Sequence, residues 1–367
     1  MKMMRCNTCV LPDNYPGIKF DQEGKCNFCT SYRPIEYLGA EKLREKIIAL
    51  KKESKNQVNA DYDCVLGLSG GRDSSYLLYF LSKALNLRVL AYSAEHGLIP
   101  ESTKQNIIKM TDKLKVRSEI QRNDLLDKCF EHHWKSWLAK PSPAMLGLLC
   151  VGCRVGYDFG ILNFARKMRV PVLVEGGTPY EGLHFKLNLL RINPNREESS
   201  IVRGFINQLA RNPKWLSKLS CIPIQTKEFY YHYYRRKKHF HKKLKKAGLV
   251  KVRPYNSFIR WKEDEVVAAI RDEFGWEKSE HSESTWRGDC YVALIRDYFF
   301  YKTLGFNDKD DHFSSLIRDG QISREEALRR LDEQKKSYDQ KIASLFDTIG
   351  LALPDAQFME SLTSGHR

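Results

Sequence analysis

The chain has 367 residues, with 42% hydrophobic and 29% charged residues, a composition of globular proteins that leaves room for one large core with smaller appendages. A mean hydropathy of −0.51 and the lack of any long apolar run argue against a membrane span. The formal net charge of +16 favours an anionic partner, whether nucleotide, sugar nucleotide, nucleic acid or membrane surface, without choosing among them.

At the amino terminus Met1-Lys2-Met3-Met4-Arg5-Cys6 is basic but leads into no apolar stretch, so it does not read as a signal or transit peptide, and the cytoplasm is the expected location. Residues 1 to about 34 hold four cysteines among turn pairs such as Pro12-Asp13 and Pro16-Gly17, too few residues for a core without a metal. Leu43, Ile47, Ile48 and Leu50 then mark an amphipathic helix over 41–56. Cys64 to Leu68 is a short apolar run that stops at Ser69-Gly70-Gly71, and helical character resumes from Ser74 to Leu81, predicting a strand, a glycine turn and a helix. Further strands are expected at 88–93 and 170–175, with a helix from Glu101 to about Leu114 between them. Strands alternating with helices predict an α/β fold, a parallel twisted sheet with helices on both faces, whose ligand sits at the carboxyl ends of the strands. Past residue 200 the pattern turns helical, with a basic run over 235–246 and a capping box, Ser323 with Glu326, opening a helix to about Lys335.

Three groups of residues carry chemistry. In Ser69-Gly70-Gly71-Arg72-Asp73-Ser74 the glycines let backbone approach a phosphate while helix-start amides point at it. The serine hydroxyls can donate to phosphate oxygens, Arg72 supplies charge, and Asp73 can cap the helix or hold magnesium. Cys6-x2-Cys9 and Cys26-x2-Cys29, with sixteen residues between the pairs, have the spacing of a closed four-thiolate zinc site, expected to fold the amino terminus. Cys150-x2-Cys153 needs distant partners; Cys221 could complete a three-cysteine iron–sulfur site, a shared zinc site is an alternative, and plain structural or redox thiols are a third. Glu175-Gly176-Gly177 closes a strand and is expected to face the same crevice, either as a nucleotide contact or as a tight turn.

The Ser69–Ser74 string resembles the PP-loop of the ATP pyrophosphatases and not the Walker loop, since no Gly-Lys-Ser/Thr follows. Together with Cys6-Asn7-Thr8-Cys9-Val10-Leu11-Pro12-Asp13, Cys26-Asn27-Phe28-Cys29, Cys150-Val151-Gly152-Cys153-Arg154, Gly288-Asp289-Cys290 and the stretch from Ile317 to Ala327, it is similar to the N-acetyl sugar amidotransferases of bacterial surface polysaccharide synthesis. That resemblance implies a zinc module over 1–40, a PP-loop ATP-binding domain over 41–225 and a mainly helical region over 226–367. It also implies ATP and Mg2+ bound by Ser69, Gly70, Gly71, Arg72, Asp73, Ser74, Glu175, Gly176 and Gly177, with Asp73 and Ser74 catalytic. The implied reaction adenylates the acetamido oxygen of a nucleotide-linked N-acetyl sugar and replaces it with ammonia. A glutaminase subunit, in some systems with a cyclase-type subunit, is the implied ammonia source. A tRNA-modifying sulfurtransferase, which would bind tRNA, and a non-enzymatic zinc- and nucleotide-binding scaffold are the competing expectations. Trp286-Arg287-Gly288-Asp289-Cys290 departs from the pattern of that family, leaving Asp289 and Cys290 without an assigned role.

Overall fold

The computed structural model describes residues 4–54, 58–150, 153–181, 184–190, 198–230 and 242–364. Five strands form one sheet: β1 (Cys64–Gly67), β2 (Val89–Glu95), β3 (Ser118–Arg122), β4 (Val172–Val174) and β5 (Val250–Val252), in the order β3-β2-β1-β4-β5 and all parallel. In β1 the residues alternate between two cores, as a period of two requires: Cys64 and Leu66 join one, Val65 the other. On the first face lie Leu43 and Ile47 of α1 (Ala40–Lys52), Leu77 and Leu78 of α2 (Arg72–Tyr79), and Ile107 and Met110 of α3 (Glu101–Leu114). On the second, Ile161, Leu162 and Ala165 of α5 (Cys153–Met168), which follows α4 (Leu125–Ala139) in the chain, cover Val65, Leu90 and Leu173. The doubly covered parallel sheet is therefore as expected.

Two strands lie outside the expectation. β3 is an edge strand whose residues are mostly exposed, so it lacks the apolar run of a central strand. β5 comes from beyond residue 225, and the boundary drawn there cuts the sheet between β4 and β5.

A third core joins the two ends of the chain. Cys6, Cys9, Leu11 and Tyr15 pack with Trp134 and Trp137 of α4 and with Ile295, Phe299 and Phe300 of a carboxyl-terminal helix. That part contains α8 (Glu263–Phe274), α9 (Tyr291–Leu304), α10 (Asp308–Arg318), α11 (Arg324–Thr348) and α12 (Ala356–Ser364); α6 (Glu198–Arg211) and α7 (Ile222–Glu228) precede it. Ser323 caps α11 by accepting from the Glu326 amide at 3.1 Å, but the Glu326 carboxylate turns to Arg329 and Arg330, so the reciprocal half of the box is absent. The helix also runs on to Thr348, well past Lys335. Among the described residues no helix is long and apolar enough to cross a membrane. Residues 235–241 of the basic run lie outside the described residues.

Candidate functional site

The strand order reverses between β1 and β4, which opens a crevice at their carboxyl ends. Both glycine pairs lie there. From β1 the chain passes through exposed Ser69 and then Gly70, whose φ of +77° and whose place 2.6 Å, as a would-be Cβ, from the Thr103 carbonyl oxygen exclude a side chain. Gly71 enters α2, whose amino terminus has no side-chain cap, leaving first-turn amides to an outside acceptor. The Ser74 hydroxyl knots the loop: it receives the Ser69 amide at 3.1 Å, lies 3.1 Å from Ser69 Oγ, and donates to the Gly71 carbonyl at 3.2 Å. From β4, Gly176 packs against the loop, since a Cβ there would lie 3.2 Å from Ser74 Cα, whereas a Cβ on Gly177 would meet open space.

The carboxyl-terminal helices wrap the other side. Asp73 Oδ1 accepts from Trp261 Nε1 at 2.7 Å, Trp276 Nε1 donates to the Gly70 carbonyl at 3.0 Å, and Tyr255 donates to the Asp73 carbonyl at 2.9 Å. Asp289 stands directly on the loop: a Cβ on Gly71 would lie 2.6 Å from its Oδ2, and its carboxylate bonds Ser69. Burial pushes the Asp73 carboxyl up to about 6, with Arg72 opposing and Glu181 and Asp289 adding repulsion. Burial likewise raises Asp289. Three acids thus face one another beside uncapped amides, a charge distribution that an oxygen-loving divalent cation would relieve. Arg287, just before Gly288-Asp289, has φ +53°, a left-handed conformation unusual outside glycine, and reaches Asp308 at 3.1 Å.

Residues 274–364, which supply Asp289, match the family model for the C-terminal domain of WbpG-like LPS biosynthesis proteins. Among solved structures the chain is similar to the NMN synthetase from Francisella tularensis, at 13% identity over 87% of this chain and 99% of that one, TM-score 0.37. It is also similar to the U34-tRNA thiolase NcsA from Methanococcus maripaludis with its 4Fe-4S cluster, at 15% identity over 90% and 89%, TM-score 0.31. A third likeness is to the NH3-dependent NAD synthetase from Campylobacter jejuni, at 15% identity over 57% and 94%, TM-score 0.28. No curated protein matches the sequence.

Two residues proposed for nucleotide contact are engaged elsewhere. The Arg72 guanidinium, 2% exposed, is paired with Glu263, bonds Thr285 at 2.8 Å and Asp73 at 3.2 Å and lies over Trp261, so its charge ties the loop to the carboxyl-terminal part of the chain. The Glu175 carboxylate is held by Lys251 and, at 3.0 Å, by Arg253, both at β5. His96, at the end of β2, accepts the Leu98 amide at 3.2 Å, and burial lowers its pKa.

The cysteines separate into two kinds. The Cys6, Cys9, Cys26 and Cys29 sulfurs all lie within 4.8 Å of one another. Amides of Thr8, Cys9 and Cys26 donate to Cys6 Sγ at 3.2–3.5 Å, the arrangement that steadies a thiolate. Cys9 is drawn down to about 2 by bonds from Cys26 and Cys29, while bonds with Cys26 and then Cys9 push Cys29 far up. Four crowded thiols cannot all ionise without a cation among them, so the donor set fits a tetrahedral metal. Cys150, Cys153 and Cys221 do not come together within that 4.8 Å spacing; among the described residues only the amino-terminal four do. Cys221 is buried with Cys129, Leu126 and Ile224 between α4 and the start of α7, and Cys150 Sγ accepts from Arg296 at 3.3 Å. The turn into α7 carries Cys221 onto α4, where its neighbour is Cys129.

Sequence reasoning left Asp289 unassigned and did not reach Glu181, Trp261 or Arg287. For Arg287 and Asp289 the signal is the Trp286–Cys290 segment itself, but the contact of Asp289 with a loop more than two hundred residues upstream is tertiary.

Proposed function

We propose that the chain is a PP-loop ATP-dependent N-acetyl sugar amidotransferase acting in bacterial surface polysaccharide synthesis, such as that of LPS O-antigen, in the cytoplasm. What carries the reading is Asp289: the region matched to WbpG-like proteins sets a carboxylate on Gly71 of the phosphate-type loop, so one crevice combines both features. In this reading the α2 amides, Ser69 and Ser74 hold the pyrophosphate of ATP, and Asp73 and Asp289 hold Mg2+, which supplies charge neutralisation for the departing pyrophosphate. The acetamido oxygen of a nucleotide-linked sugar attacks the α-phosphorus; its bond forms as the bond to pyrophosphate breaks. Ammonia then adds to the activated carbon, AMP leaves with the oxygen, and a proton is released, giving the acetamidino sugar. A glutaminase subunit, with or without a cyclase-type subunit, delivers the ammonia. Cys6, Cys9, Cys26 and Cys29 hold a structural zinc, closed to substrate. The domain division at 1–40, 41–225 and 226–367 stands in this proposal with β5 added to the ATP-binding unit.

The test is mass spectrometry of nucleotide-linked N-acetyl sugars incubated with the protein, ATP, magnesium and ammonium, while AMP and pyrophosphate are followed. Exchange of oxygen for NH on a sugar, tied to ATP cleavage, is the expected result. Cleavage of ATP with no sugar altered and sulfur transfer to tRNA instead would replace the proposal with the sulfurtransferase alternative.

A further inference from the structure

The segment after β4 has two sides. Glu181 faces the loop acids, raising the Asp73 carboxyl and lying 3.7 Å from Arg287, while Pro179 and Tyr180 turn toward a separate cleft of about 250 Å³. The cleft forms where three parts of the chain meet: the four-cysteine module, residues 179–180, and α10. Its walls are aromatic, with Tyr15 and Phe28 edge to face at 5.5 Å, and Tyr32 and Tyr180 beside them. Two of those rings are held in place by one carboxylate, for Tyr32 donates to Asp319 Oδ1 at 2.7 Å and Tyr180 to Oδ2 at 2.9 Å. A stacking surface fixed in this way loses little freedom when a flat ring enters.

The cleft also carries charge. Arg5, Arg72, Arg253, Arg260 and Arg296 each sit on a carboxylate. Arg33 and Arg318, both lining the cleft, have none among the described residues: Arg33 bonds the Tyr32 carbonyl at 2.8 Å, and Arg318 bonds Ser315 Oγ at 2.8 Å and lies 4.0 Å from Cys9 Sγ. Asp311 also lines the cleft, where Tyr15 contacts it. Flat rings and two guanidiniums without carboxylates suit a base and a diphosphate.

We propose that this cleft takes the nucleoside diphosphate end of the nucleotide-linked acceptor, apart from the ATP crevice and joined to it by residues 178–181. The base stacks on the tyrosines, Arg33 and Arg318 pair with the diphosphate, and the attached sugar extends past Tyr180 toward Asp73 and Asp289. The assignment rests on the acceptor being nucleotide-linked, as proposed above.

Calorimetry on the full-length, metal-loaded protein tests it with UDP and GDP as probes, alone and after saturation with α,β-methylene-ATP. Binding of either diphosphate is expected with the ATP analogue already bound. Arg33→Ala, at an exposed position, and Arg318→Gln should each weaken that binding about tenfold or more while the affinity for α,β-methylene-ATP stays unchanged. Competition between the two ligands, or diphosphate binding indifferent to both substitutions, overturns the cleft assignment. So does analogue binding with no response to UDP or GDP, an outcome that leaves the ATP site standing. Arginine-dependent diphosphate binding without analogue binding keeps the cleft and removes the ATP reading instead.

Discussion

Two cysteine groups share a Cys-x2-Cys spacing and come to different ends. Cys6 and Cys9 meet a second pair after only sixteen intervening residues, carried by a turn that bridges Phe20 to Cys26, and the four sulfurs converge within 4.8 Å. Cys150 and Cys153 depend on a thiol from across the fold, and Cys221 is instead drawn into an apolar contact with Cys129, each shielded from water. Burial and its bond with Cys221 push the Cys129 thiol up to about 12, so that thiol stays protonated and behaves as packing. Spacing therefore predicts a metal site when all ligands are local, and only asks a question when one is remote.

The hardest blow to this contrast is Cys9→Ser. One metal ion per chain is expected to be lost, measured by elemental analysis, and with it several kcal/mol of stability by order of magnitude, because Arg324 of α11 docks onto the Cys6 and Cys9 carbonyls at 3.1 and 3.0 Å. Unchanged metal content would sink the closed-site reading. The two glycine pairs sharpen the same lesson about local and remote partners. Gly70→Ala sets a Cβ 2.6 Å from a backbone oxygen at positive φ, so pyrophosphate release should fall about a hundredfold or more, whereas Gly177→Ala should stay within about twofold. Equal losses in the two would remove the distinction.

Asp73→Asn probes the remote acids through stability. With its carboxyl raised to about 6, Asp73 supports the fold below its unfolded value near 4, and that support disappears as pH rises through 6. The variant should therefore melt higher than the parent at pH 8, by on the order of 1–3 kcal/mol, while losing ATP cleavage; a lower melting point at pH 8 would contradict the acid cluster. In parallel, Asp289→Asn takes away one repelling charge, and the pH dependence of magnesium-dependent nucleotide binding should move to lower pH. The smallest effect is expected for Cys221→Ala: no change in bound metal and a stability loss of about 1–2 kcal/mol, read by denaturant unfolding. A drop in iron or zinc content would restore the three-cysteine site.

Much of the sheet was legible because β1, β2 and β4 are central and buried on both faces, which forces continuous apolar runs ended by glycines. β3, mostly exposed at an edge, and β5, three residues of Val-Lys-Val, carry too little pattern to announce themselves. The loop was legible for the same local reason: strand, glycines and helix are contiguous. Arg72 was legible only in part: a basic residue in a phosphate-type loop suggests a phosphate partner, and only packing reveals its engagement with Glu263 and Trp261.

By itself the sequence determined whatever depends on neighbours along the chain: the alternation that builds the sheet, the turn that frees the α2 amides, and the spacing that gathers four sulfurs. The tertiary structure alone decided what depends on residues far apart: that Asp289 stands on Gly71, that Cys221 leaves Cys150 for Cys129, and that the first thirty-odd residues and α10 enclose an aromatic cleft. The physical reason is that short-range conformational preferences are written in residue type and order, while which distant surfaces meet follows from burying all the apolar faces at once, which no local pattern specifies.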